Sequence, residues 1–350
     1  MIYKFLMYKH FYIPFLTKHM IKKILKIILG VFGLLFILFF SGPKVEAPIL
    51  YKDLPAVSQN LTELNDWINS NEDTISNLKK GNRSRIEFFD SIPQKTKYAV
   101  IYFHGFSASS EEGAPFHQNI AKHFKANLYL PRLYGHGIAG ESPLEDFTGD
   151  AYIDSAREAL AVAKTLGDQV IVLGTSNGGT LSLLLGTDPQ VVSIGLYSPN
   201  IRINDPLAGL ITMPWGLDLA TSVVGSDYHI VQGMVSPKEN FWTPRYHMQS
   251  LTHVQKLLEV AMIPEMFAKI KVPVFMGYYY KDEQNQDNVV SVPAMLDMFE
   301  QLGTPNDKKE KMAFPDSGDH VMTSHMTSKD IKGVTRESIR FFEAHLPTNK

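Results

Sequence analysis

"VIVLGTSNGGTLSLLLG", residues 170–186, sets a continuous apolar run against a serine ringed by glycines. Val170 to Leu173 reads as a buried strand and Thr180 to Leu185 as a helix. Between them, Gly174-x-Ser176-x-Gly178 has the spacing of a nucleophile elbow. Glycines flank the serine in such a corner because the turn is tight and neighbouring backbone approaches closely. The serine is lifted to the top of a sheet at the start of a helix. The helix N-terminus offers unpaired N–H groups and a partial positive charge, both suited to a developing oxyanion. A glycine-rich turn with an incidental serine would show the same letters; the strand before and the helix after favour the elbow.

Working outward, strands and helices alternate. Residues 85–89, 98–103, 127–130, 169–173, 191–197, 272–279 and 311–314 read as strands. Residues 115–124, 151–166, 177–185, 292–302 and 329–346 read as helices, and a short helix lies around 61–78. Ile153, Ala156, Leu160 and Ala163 recur at three- and four-residue steps, so they share one helix face. Continuous apolar strands in this order predict an α/β fold with a mostly parallel central sheet and helices on both faces. Residues 201–265 break the alternation with Pro206, Pro214, Trp215, Pro237, Trp242, Pro244, Met213, Met234, Met248 and Met262, and read as an inserted helical cap. The expected division is 1–42 as a basic segment and membrane anchor or signal peptide, 43–84 as linker and short helix, 85–200 and 266–350 as core, and 201–265 as cap.

A serine hydroxyl is a weak nucleophile and needs a base. "AFPDSGDHVMTS" places His320 in a loop after the last strand and before the last helix, which makes it the strongest partner among 12 histidines. The base in turn needs a carboxylate to hold its tautomer and stabilise its cation. "YKDEQNQDNVV" offers Asp282, Glu283 and Asp287. Counting forward from the preceding strand favours Asp282, and counting back from the helix near Ser291 favours Asp287. About five residues separate the two frames. Asp282 is preferred, because strand length sets where the sheet edge lies. The backbone N–H of Asn177 and that of Phe106, from "HGFSAS", are the expected oxyanion donors, with Ser107 as the alternative to Phe106. His104 reads as a structural histidine bracing that loop.

Composition sets further bounds. The 350 residues carry a net charge of −2 and no cysteine. Disulfides, cysteine-ligated zinc and a cysteine nucleophile are excluded, and nothing pulls the chain toward nucleic acid. Residues 1–45 hold seven lysines and no acid, which leaves −9 for the remainder. Ile27 to Phe40 is apolar without a break, and with Ile24 and Leu25 across Lys26 the run reaches 17 positions. A bilayer core needs roughly 17–25 residues. Lys22, Lys23 and Lys26 precede the run, so the N-terminus is expected in the cytoplasm and the domain on the other side. An uncleaved anchor is favoured over a cleaved signal peptide, because Ser41-Gly42-Pro43 is a poor cleavage site. Residues 1–19 read as an upstream extension of the reading frame with no fold assigned.

"HGFSAS", "LPRLYGHG" at 130–137, "GTSNGG" and "SGDHV", in that order, resemble the α/β-hydrolase superfamily. The resemblance is to its monoacylglycerol-lipase and serine-aminopeptidase-like branch, over about residues 85–346. It implies a Ser176, His320 and Asp triad, a cap after the strand at 191–197, no cofactor and no metal. The "LYGHG" loop is then structural. The expected activity is cleavage of a small-molecule or lipid ester through an acyl-enzyme on Ser176. Two alternatives stay open. A serine aminopeptidase would need a carboxylate pair in the cap, for which Glu239, Glu259 and Glu265 are loose candidates. The other is a catalytically silent, membrane-tethered binding protein.

Overall fold

The computed structural model describes residues 17–347; the segment read as an upstream extension lies outside them as far as residue 16. The helices are α1 (Lys18–Phe40), α2 (Leu61–Asp73), α3 (Phe116–His123), α4 (Gly149–Leu166), α5 (Asn177–Leu185), α6 (Gly216–Val224), α7 (Lys238–Phe241), α8 (Gln249–Ala261), α9 (Pro264–Phe267), α10 (Val292–Gln301) and α11 (Ile331–His345). The strands are β1 (Arg85–Glu87), β2 (Thr96–Phe103), β3 (Asn127–Leu130), β4 (Gly167–Thr175), β5 (Val191–Tyr197), β6 (Tyr228–Ile230), β7 (Arg245–His247), β8 (Val274–Tyr278) and β9 (Lys309–Ala313).

Seven strands form one sheet in the order β1-β3-β2-β4-β5-β8-β9. Only β1 runs antiparallel to its neighbour in this sheet; every other pairing is parallel. The apolar run in β4 reflects burial on both sides. Val170 and Val172 feed a core shared with α4, α5, α8 and α10, while Ile171 and Leu173 feed a second core shared with α3 and α11. A strand's side chains alternate between faces, so a strand with a core on each side is apolar throughout. On α4, Ile153, Ala156, Leu160 and Ala163 are all buried, as their spacing predicts. Thr148 starts that helix by accepting from Ala151 N.

Residues between β5 and β8 form the insertion. It carries a 3₁₀ turn (Ala208–Thr212), α6, α7, α8 and α9, and also the antiparallel pair β6–β7, so it is not purely helical. At the other end, α1 is 23 residues long and none of its residues is buried in the protein. It is long and apolar enough to cross a membrane.

The β4–α5 corner explains its own glycines. A Cβ on Gly178 would lie 1.9 Å from the carbonyl oxygen of Phe103, at the end of the adjacent strand. One on Gly174 would lie 2.3 Å from the carbonyl oxygen of Gly178. Both obstacles are backbone that cannot rotate away. By contrast, a Cβ on Gly140 meets nothing within 4 Å. Gly178→Ala is therefore expected to destabilise the fold by about 3 kcal/mol, the upper end for overpacking, and to lower the melting temperature by roughly 5–10 °C. Gly140→Ala should melt with the parent chain in the same thermal scan.

Candidate active site

Ser176 closes β4 and caps α5 with φ 54° and ψ −121°, a conformation non-glycine residues rarely adopt. Backbone bonds hold it there. Ser176 N donates to Tyr197 O at 3.0 Å, and Ser176 O accepts from Gly179 N and Asn200 N, each at 2.9 Å. Its Oγ makes no hydrogen bond among the described residues, and the side chain is largely enclosed.

His320 lies in the loop after β9. Its Nδ1 donates to Asp287 Oδ2 at 2.6 Å, and Asp287 is fully enclosed. Asp287 Oδ1 accepts from Val289 N and Val290 N at 2.9 and 3.0 Å, so the carboxylate is satisfied on both oxygens. The other imidazole nitrogen, Nε2, is buried without a partner among the described residues. Burial pulls the His320 pKa down. The Asp287 charge and hydrogen bond outweigh it, with smaller help from Asp319 and Glu112, and the net value lies above the ordinary 6.5. Burial likewise pushes Asp287 up, but the His320 charge and the hydrogen bonds leave it below the usual carboxylate range.

The preference for Asp282 is corrected here: the structure brings Asp287, not Asp282, to His320. Asp282 is exposed and folds its own loop, its Oδ1 accepting from Gln284 N, Asn285 N and Asn285 Nδ2. Residues 281–285 leave the sheet edge and return. Lys281 N bonds Asn285 O at 2.8 Å, Tyr280 bridges Gln286, and Asp287 N reaches back to Tyr279 O at 3.0 Å. Distance along the chain from β8 is thus not distance from the sheet edge, and the count from Ser291 leads to the carboxylate that bonds His320.

The loop after β2 brings Phe106 to the same edge. Neither Phe106 N–H nor Asn177 N–H has a hydrogen-bond partner among the described residues. Ser107, the alternative donor, has φ 65°, and its carbonyl accepts from Thr243 N of the insertion at 2.7 Å. His104 braces this loop. Its Nδ1 donates to Gly105 O and its Nε2 accepts from Leu133 N, which ties it to the "LYGHG" segment. Burial holds His104 well below the ordinary histidine value and His136 at about 4, so both are neutral spacers.

Sequence reasoning missed a second acid, Glu112. It is 1% exposed, and its Oε1 accepts from Gly105 N at 2.8 Å and Tyr102 OH at 3.0 Å. Its Oε2 and the Cβ of Ser176 lie 3.0 and 3.1 Å from one point beside Gly105. Tyr102 OH also contacts Thr175 Oγ1 at 2.9 Å and Thr323 Oγ1 at 3.2 Å, and these two hydroxyls meet at 3.0 Å. One buried cluster thereby joins the loops that carry Phe106, Ser176 and His320. Burial raises Glu112 to about 7. "SSEEG" held no signal for it, because Glu111 next door has the same chemistry and turns outward.

Ala108 and Val321, close in the chain to Phe106 and His320, pack with buried Trp242 and half-buried Met234. Met248 is buried, and Trp215 is exposed at the end of α1. The cap carboxylates do not converge: Glu239 and Glu265 are exposed, and Glu259 is held by Thr212, Gln255 and Lys256. Among the described residues, no three histidine or carboxylate groups gather into a possible metal site. A cavity of about 850 Å³, lined by Glu72, Tyr129, Arg132 and Glu158, includes none of Ser176, Asp287 and His320.

No family model matches the chain, and no curated protein matches its sequence. Solved structures do match. A metagenome-derived lipolytic enzyme of the LipS and LipT study is similar over 77% of this chain and 100% of its own, at 18% identity and TM-score 0.61. The monoacylglycerol lipase of Paleococcus ferrophilus is similar over 75% of this chain and 98% of its own, at 13% identity and TM-score 0.52. Est1E of Butyrivibrio proteoclasticus, solved with ferulic acid, is similar over 75% and 95%, at 16% identity and TM-score 0.50. Identities this low speak to architecture, and the architecture they share with this parallel sheet and its serine corner is the α/β-hydrolase fold.

Proposed function

We propose that this chain is a serine hydrolase that cleaves carboxylic esters through an acyl-enzyme on Ser176. The observation that carries the reading is the buried His320–Asp287 pair. It leaves Nε2 unpartnered, in a loop joined by hydroxyl contacts to the loop of a strained serine with a free Oγ. In this reading Ser176 Oγ attacks the ester carbonyl and His320 Nε2 takes its proton. Asp287 stabilises the imidazolium. The N–H groups of Phe106 and Asn177 receive the oxyanion, a contact whose loss typically costs about 10²–10³ in rate. Collapse expels the alcohol, which takes the proton from His320. Water then repeats the sequence on the acyl group and frees Ser176.

The solved structures named as a lipolytic enzyme and a monoacylglycerol lipase support a lipophilic ester, as do Met234 and Trp242, which pack beside Ala108 and Val321. Residues 85–200 and 266–350 form the catalytic core and 201–265 the cap. The helix α1 is the membrane anchor, with Lys22, Lys23 and Lys26 on the cytoplasmic side and the domain across the bilayer.

Ser176→Ala should abolish both nitrophenyl-ester turnover and fluorophosphonate labelling while the thermal melt stays intact; labelled, active S176A protein would end this reading. Asp287→Asn, which presents the wrong tautomer to the base, should lower kcat by roughly 10³–10⁴, by analogy with the same change in a serine protease. Asp282→Asn should leave kcat near the parent value, and the reverse ranking would return the acid's role to Asp282.

The pH profile follows from the charges around His320. The base works only when neutral, so kcat/KM falls as pH drops through its raised folded-state pKa, above 6.5. Glu112 ionises in the same range, so the limb reports both groups. Glu112→Gln keeps an acceptor for Gly105 N and Tyr102 OH but removes a negative charge that favours the imidazolium. Its acid limb should move to lower pH, and a limb that stays in place would show that Glu112 only packs.

A further inference from the structure

The insertion carries an apolar face that nothing among the described residues covers. From Leu207 to Val224 the chain holds one charged residue, Asp218. Trp215, Leu219 and Val223 recur at every fourth position, so they share one face of α6 and the residue before it. They are 44%, 60% and 80% exposed. Leu207, Leu210, Met213 and Val224 are exposed alongside. Single exposed apolar residues need no explanation, whereas a contiguous group of them marks an interaction surface.

Its position says what meets it. Trp215 N donates to Pro43 O and Trp215 Nε1 to Leu38 O, each at 3.0 Å, and the indole packs against Gly42. The face therefore begins where α1 ends, beside the exposed Phe36, Phe39 and Phe40. The apolar exterior of α1 and the face of α6 are continuous. A helix that spans a bilayer fixes its own end at the water–lipid boundary, which places α6 at that boundary too. Tryptophan, with an apolar ring and one polar N–H, favours this depth.

We propose that the Trp215-Leu219-Val223 face of α6 beds into the interfacial layer of the bilayer that α1 spans. This rests on the anchor reading of α1. The same insertion packs Met234 and Trp242 against Ala108 and Val321, close in the chain to Phe106 and His320, so docking it holds the site near the lipid boundary. An ester dissolved in the bilayer then has a short path to Ser176.

The absence of cysteine allows a unique label at each position. The full-length chain as Val223→Cys, Leu35→Cys or Ile92→Cys, labelled with bimane, is placed in vesicles of phosphatidylethanolamine and phosphatidylglycerol that carry nitroxide lipids. Quenching is expected at V223C and L35C and not at I92C, an exposed site in the core domain. A quenched L35C with an unquenched V223C overturns the docking alone. Labels unquenched at all three overturn the anchor and the docking together. Disulfide-linked dimers of unlabelled V223C in place of quenching assign the face to a second copy and overturn the lipid. Quenching needs no turnover, so it reads independently of the ester reaction. In the companion variant Leu219→Asp/Val223→Asp, hydrolysis of vesicle-borne monoacylglycerol should fall several-fold while that of a short soluble nitrophenyl ester is unchanged. An equal effect on both substrates overturns the proposal.

Discussion

The close approach of β4's end to the backbone of β2 is the constraint from which the site follows. Gly178 sits against the Phe103 carbonyl with no room for a side chain. That close approach lets the start of α5 lie over the sheet, and Ser176 at the corner has a positive φ. Such backbone costs of order 1–3 kcal/mol, and the surrounding hydrogen bonds must offset it. They do so from two directions, through Tyr197 O below and through Gly179 N and Asn200 N above. At this corner the first helical N–H, that of Asn177, is left without a partner among the described residues.

The polar cluster under this corner is as deliberate as the corner itself. Buried polar groups are costly unless satisfied, and here Glu112, Tyr102, Thr175 and Thr323 satisfy one another. Each belongs to a different segment, so the cluster fixes the mutual placement of loops that are far apart in sequence. Two acids then flank the site with opposite characters. Asp287 has donors on both oxygens and is held ionised. Glu112, more desolvated, is poised near neutrality. Environment sets which state each carboxyl favours, since their intrinsic chemistry is nearly the same.

The insertion couples this buried chemistry to the outside. One end packs on the end of α1 through Trp215, and another bonds the loop after β2 through Thr243. A single segment thus touches both the helix suited to a bilayer and the loop that carries Phe106. The tryptophans, which look alike in composition, have different situations: Trp242 is buried beside Ala108 and Val321 and Trp215 is surface at the helix exit.

Much of this was legible in the sequence. The succession of strands and helices, the serine corner and the late histidine are local patterns, and glycine spacing or an unbroken apolar run keeps its meaning wherever the chain goes. The choice between Asp282 and Asp287 was not local. Residues 281–285 fold on their own hydrogen bonds and add length without advancing along the sheet edge. Glu112 was illegible for a related reason, since burial belongs to what packs around a residue, and Glu111 and Glu112 read alike. The sequence by itself determined the α/β framework, the serine corner and an apolar helix near the N-terminus. Tertiary structure alone decided which acid meets the histidine, which acid is buried against Gly105 in the loop after β2 and which apolar face stays open, because each depends on contacts between segments that no local pattern encodes.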